Sequence, residues 1–280
     1  MINKKYKDRL FCLLFGNEEY KDNILSLYNA LCNTSHTNTD DIQIYTIEDV
    51  IYIKMKNDVS ILLDSFLYLW EQQSTFNPNM PIRGLLYFGK MYDKYITENH
   101  LNIYGKTLIK LPTPKYTVLY NGMDEQPAFM QLKLSDSFIN PDTSGDFEWT
   151  ANMINLNDGK NDDLLDKCQP LKEYMILINE IRKNSENMKF EDAVDTAVTY
   201  CIEHNVLKSF LLRHRAEVLD VCITEYNEKS FVDGIREEGR KEGKNLLATV
   251  VLRLRNGETP EQILASGVDA KTIELAETIK

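Results

Sequence analysis

The 280-residue chain is 43% hydrophobic and 27% charged, a composition that excludes disorder over most of its length and suits a main domain with an appendage. Its apolar runs stay well short of the roughly 18 residues of a membrane helix, and FCLLF at residues 11–15 is too short for a signal-peptide core, so a cytoplasmic protein without membrane contact is expected. The net charge of −11 is unevenly spread: residues 1–120 are balanced, and the acidic excess falls entirely in residues 121–280.

Residue usage narrows the chemistry further. Cys12, Cys32, Cys168, Cys201 and Cys222 are scattered and lack C-x-x-C spacing, which points to free buried thiols rather than disulfides or zinc. The histidines lack H-E-x-x-H spacing, and the chain is read as holding no G-x-x-x-x-G-K or G-x-G-x-x-G nucleotide-binding loop. A metal centre would therefore rest on carboxylates.

In chain order, residues 6–15 and 18–32 are expected to be helical, with Asn17 as N-cap and Glu18 and Glu19 at the positive end of the helix dipole. A polar loop, TSHTNTDD, separates these helices from expected strands at 42–45 and 50–55. Two apolar runs, Val59 to Leu63 and Phe66 to Trp70, then flank Asp64-Ser65, the pattern of a two-residue β-hairpin. With Leu63 opposite Phe66, Asp58 faces Glu71, and Gln73 lies on the face of Glu71. Opposed carboxylates destabilise a sheet unless compensated, and Mg²⁺ or Mn²⁺ held by Asp58 and Glu71 would compensate them. The alternative is a solvated acidic face or a register slipped by one.

After Asn77-Pro78-Asn79, a helix is expected from Pro81 to about Ile96, burying Leu85, Phe88, Tyr92 and Tyr95. Arg83, Lys90 and Lys94 recur on another side of it. With Lys106, Lys110 and Lys115 they form either a phosphate-tracking patch for DNA or an ordinary solvated face. A strand from Lys115 to Tyr120 ends at the Asn121-Gly122 turn, and Leu132 to Leu156 mixes strand and loop. Helices at about 171–184, 190–203 and 206–226 carry apolar residues at core spacing. Past Tyr226, FVDGIREEGRKEGK (231–244) reads as a charged helix weakened by glycines. A short helical unit closes the chain. It lacks a basic recognition face, so self-association through Leu246, Leu247, Val250, Val251 and Leu254 is expected of it rather than DNA reading.

The order Asp58, apolar strand, Glu71-Gln72-Gln73-Ser74 resembles the D…E-x-Q-S variant of the PD-(D/E)XK nuclease core found in the bacterial recombination-promoting nuclease (Rpn), transposase-like family. The resemblance continues through KDRLFCLLFG (7–16), LYNAL (27–31), NDVS (57–60), STFNPNMPIRGLLYFGKMYDKYI (74–96), IKLPTPKYTVLYNG (109–122) and RHRAEVLDVCITEY (213–226), and covers about residues 4–230. It implies an α+β core of PD-(D/E)XK type, a mixed sheet flanked by helices, over residues 1–165. An all-helical C-terminal part would follow, as an extension over 166–230 and a charged linker with a terminal unit over 231–280.

The implied activity is Mg²⁺-dependent hydrolysis of DNA phosphodiesters. Asp58 and Glu71 would hold the metal, and Gln73 would orient water or phosphate. The first-helix acid would be Asp8, whose other reading is a solvated or capping carboxylate. Gln73 stands where the wider superfamily usually has lysine, and an amide has no useful acid–base chemistry, so modest turnover is expected. A second hypothesis keeps the nuclease core only as a scaffold for binding or assembly through the acidic C-terminal helices.

Overall fold

A computed structural model describes residues 6–45, 59–142, 144–222, 249–255, 258–265, 268, 272 and 274–276. The chain divides into two compact units, Met1–Ile223 and Thr224–Lys280. Among the described residues, no helix is long and apolar enough to cross a membrane. The expected strand at 50–55 and the charged helix at 231–244 lie outside the described residues, as does Asp58.

The first unit begins with helix α1 (Tyr6–Phe15), a 3₁₀ turn (Glu18–Tyr20) and α2 (Lys21–Cys32). Asn17 caps the turn as expected, its side chain accepting the Glu19 N–H at 3.0 Å. Strands β1 (Gln43–Ile44), β2 (Val59–Leu63) and β3 (Phe66–Gln73) follow, then α3 (Met80–Glu98) and β4 (Thr113–Tyr120). Next come β5 (Phe129–Lys133) and β6 (Thr150–Asn155), and then α4 (Asp162–Lys167), α5 (Gln169–Asn184), α6 (Phe190–Glu203) and α7 (208–222). The six strands form one mixed sheet in the order β1-β2-β3-β4-β6-β5. Pairing is antiparallel from β1 to β3, parallel across β3-β4-β6, and antiparallel again at the β5 edge.

The β2–β3 hairpin has the expected register, with Leu63 opposite Phe66 and Val59 opposite Trp70. Its turn places Asp64 at φ 50° and Ser65 at φ 63°. Two left-handed residues in succession define the type I′ turn that matches strand twist. Ser65 there lacks the freedom of glycine, while His36 Nε2 stands 3.3 Å from Asp64 Oδ2.

Alternation along β3 assigns its side chains to two cores. Tyr68 and Trp70 enter a layer with Leu10, Phe11 and Leu14 of α1, Ile24 and Leu27 of α2, Leu177 and Ile178 of α5, and Val194 and Val198 of α6. The helices expected as a separate extension thus share one hydrophobic layer with α1 and α2. Leu67 and Leu69 point the other way, against Met80, Tyr87, Phe88 and Met91 of α3 and Tyr116 and Val118 of β4. Each fully buried large apolar side chain contributes about 1.5–3 kcal/mol. The buried stripe of α3 runs through Met80, Gly84, Tyr87, Phe88 and Met91; Phe88 is buried as expected, while Leu85, Tyr92 and Tyr95 are only half-buried, Tyr92 and Tyr95 packing at the margin of this core. Gly84 sets this phase, because a Cβ there would overlap the Tyr116 ring, and its absence lets the α3 backbone lie close against β4.

In the second unit, Val250, Val251 and Leu254 pack against Ile263 and Ala276. A capping box opens helix Pro260–Ala265: Thr259 N–H donates to Gln262 Oε1 at 2.9 Å, and Gln262 N–H to Thr259 Oγ1 at 3.3 Å. Val250, Val251 and Leu254, expected to need a second copy, are thus covered within this unit; Leu246 and Leu247 of the same expectation lie outside the described residues.

Candidate functional site

Strands β3, β4 and β6 run parallel and end together at Gln73, Tyr120 and Asn155, the end at which open α/β sheets place their ligands. Glu71 lies two residues before the end of β3. Like Leu67 and Leu69 it faces α3, and it is 0% exposed. Its Oε1 accepts from Arg83 Nη2 at 2.9 Å, and its Oε2 accepts the Tyr116 hydroxyl. Tyr116 reaches it because β4 pairs Val118 with Glu71, which puts Tyr116 two residues back on the same face. Arg83 comes from the first turn of α3, fixed over the sheet by the contact at Gly84.

Burial pushes the Glu71 carboxyl up from the ordinary range, while Arg83 and the Tyr116 hydroxyl pull it back. Burial pulls the Arg83 guanidinium down, and the Glu71 charge more than restores it, so its net shift is upward. The two partners thus weigh one ion pair differently. The enclosed carboxylate loses all its hydration, whereas the Arg83 side chain keeps 17% of its surface in water, so burial weighs more on the acid. Burial, followed by the charge of Glu71, raises the Tyr116 phenol well above its ordinary value and keeps it a donor.

Of the residues singled out from sequence, Gln73 is half-buried on the strand face of Glu71. Asp8 arrives from α1, its Oδ1 3.5 Å from Ser74 Oγ, at the same strand end but from the opposite side of the sheet to α3. Arg83 turns inward onto Glu71, away from Lys90 and Lys94. Lys90 is exposed, and Lys94 stands 4.4 Å from the centre of the Tyr45 ring and 4.0 Å from Glu98. Asp58 lies outside the described residues, immediately before Val59 in the chain. Among the described residues, no group of three or more His, Cys, Asp or Glu side chains is placed to hold a metal.

The sequence reading missed the residues that surround this strand end. Gln72, facing α1 and α5, donates from Nε2 to Asn121 Oδ1 at 2.7 Å, and Asn121 Nδ2 donates to Tyr174 Oη at 3.3 Å. Tyr174 Oη donates in turn to the Lys7 carbonyl at 3.0 Å. The Asn121 carbonyl accepts from Lys7 Nζ at 3.4 Å and from Arg182. Burial lowers the Arg182 guanidinium and raises the Tyr174 phenol. Alongside, a cleft of about 440 Å³ opens among residues 122–126, Asn155, Asn157, Lys160 and Arg182. The only local signal was the Asn121-Gly122 pair, which reads as a turn.

The string Gly84 to Lys90 has G-x-x-x-x-G-K spacing but lies within α3, so it makes no phosphate-cradling loop. No protein-family model, curated protein or solved structure matches this chain.

Proposed function

We propose that the chain is a divalent-cation-dependent DNA endonuclease with a PD-(D/E)XK-type core, acting in the cytoplasm and similar to the recombination-promoting nucleases its sequence resembles. The observation that carries this reading is Glu71, a fully enclosed carboxylate near the carboxyl end of a central strand, in a core that would accept an apolar residue. Replacing a buried ion pair by well-packed apolar side chains is often neutral or stabilising by about 1–4 kcal/mol, so stability alone does not account for keeping the charge. The hairpin register supports the reading, as does the order of helix, antiparallel strands, helix and parallel strand.

The donor set suits a hard cation. Glu71 supplies carboxylate oxygens, and Asp58, the residue before Val59, would be the second carboxylate. A bound Mg²⁺ or Mn²⁺ supplies an activated water and offsets charge on the phosphodiester. Glu71 provides the fixed negative charge, and Gln73 hydrogen-bonds water or phosphate without exchanging a proton. Asp8 adds an acid beside Ser74, and Lys90 with Lys94 offers cations to the DNA backbone along α3.

A second reading, a catalytically silent scaffold, is favoured by one observation: both Glu71 oxygens are already taken, by Arg83 and Tyr116. Supercoiled plasmid incubated with Mg²⁺, Mn²⁺ or EDTA separates the two. The nuclease reading expects nicked or linear product with either metal, and loss to the EDTA level in Glu71→Gln. Intact plasmid over folded wild-type protein at millimolar Mn²⁺ would leave the scaffold reading.

A further inference from the structure

Arg83 and Glu71 are unequally held. Glu71 is wholly enclosed, and each of its oxygens has a close donor. A guanidinium carries five N–H donors, yet among the described residues Arg83 has only one good acceptor, Glu71. Beyond Glu71 it reaches the Tyr87 hydroxyl at 3.4 Å and the Met80 sulfur at 3.6 Å, and its buried Nε has no hydrogen-bond partner among the described residues. Its side chain keeps a 17% opening to water at the start of α3. The pair therefore has one fixed member, Glu71, and one long, flexible, under-satisfied member with a way out. A divalent ion on Glu71 would need the oxygen that Arg83 holds, and two cations against one carboxylate repel each other. The Tyr116 hydroxyl is neutral and can stay on Oε2.

We propose that Arg83 is the resident counter-cation of Glu71, and that a divalent ion enters by exchange with it, freeing the guanidinium to pair with a phosphate oxygen of the DNA. The inference rests on reading Glu71 as a metal ligand. Arginine suits the second role, because its planar fork matches phosphate geometry. The close packing of Gly84 on Tyr116 holds the Arg83 backbone in place, so the charge moves only by side-chain rotation.

The test uses the metal-stripped full chain and Mn²⁺, with binding read by calorimetry and electron paramagnetic resonance. Arg83→Gln removes the competing cation and should bind Mn²⁺ at least about tenfold more tightly than wild type, a 1.4 kcal/mol difference. Glu71→Gln should lose this binding. In the wild-type chain, Mg²⁺ should shift the Arg83 Nε resonance in ¹⁵N spectra, the signal being assigned with Arg83→Lys. Equal Mn²⁺ affinity in wild type and Arg83→Gln would overturn the exchange and leave the metal reading standing. Absence of Mn²⁺ uptake in both, or uptake unaffected by Glu71→Gln, would overturn the metal reading and the exchange with it. Should Arg83→Gln fail to fold, the wild-type spectrum decides: an Arg83 resonance unmoved by saturating Mg²⁺ refutes the exchange.

Discussion

Consecutive residues of one strand meet opposite kinds of polar environment. On the α1–α5 face, Gln72 is buried in a network built largely from amides and a phenol, linked through Asn121 to Tyr174. On the α3 face, Glu71 is buried as an ion, matched by Arg83 and Tyr116. An amide network can be satisfied locally and has little reason to rearrange. A buried ion pair needs each charge to stay for the sake of the other, so it responds to any competing ion. The difference marks the α3 face as the one a competing ion would disturb, and the α1–α5 face as the one it would leave in place.

The two faces differ most at Arg83. Arg83→Met strands the Glu71 charge and should cost about 3–5 kcal/mol in urea denaturation. The double variant Glu71→Leu, Arg83→Met should return close to wild-type stability while losing the Mn²⁺ response. A single variant as stable as the double would mean that the pair is hydrated in solution.

On the other face, Asn121→Ala should cost less, about 1–3 kcal/mol, by removing the acceptor of Gln72 Nε2 and the donor to Tyr174. The Lys7 and Arg182 contacts go to the Asn121 main-chain oxygen and survive. Mn²⁺ affinity should be unchanged, and a drop comparable to that of Glu71→Gln would show that the two faces are coupled through β3.

The smallest effect is expected at the hairpin that presents both faces. Ser65→Gly relieves a left-handed residue in the type I′ turn and should stabilise the unit by about 0.5–1 kcal/mol without altering either network. A melting temperature that falls would indicate that the Ser65 side chain contributes more than its backbone conformation costs.

Local physics was legible in the residues. The Leu63–Phe66 register follows from a two-residue loop between apolar runs, the Asn17 cap follows from capping rules, and the start of α3 beside Pro81 follows from the proline rule. The phase of α3 was legible only in part: Phe88 is buried as its spacing requires, but Leu85, Tyr92 and Tyr95 stay half-buried, because apolar residues occupy several faces of the helix. Close approach at Gly84 decides it, and with it the inward turn of Arg83. Nor could the chain order foretell that β4 would set Tyr116 against Glu71, since parallel pairing joins strands separated by a whole helix. Sequence alone determined where the acid sits along its strand and which neighbours share its face, because strand period and turn length act over a few residues. Only the tertiary structure decided what that acid touches, because its cation and its phenol come from elements brought together by packing.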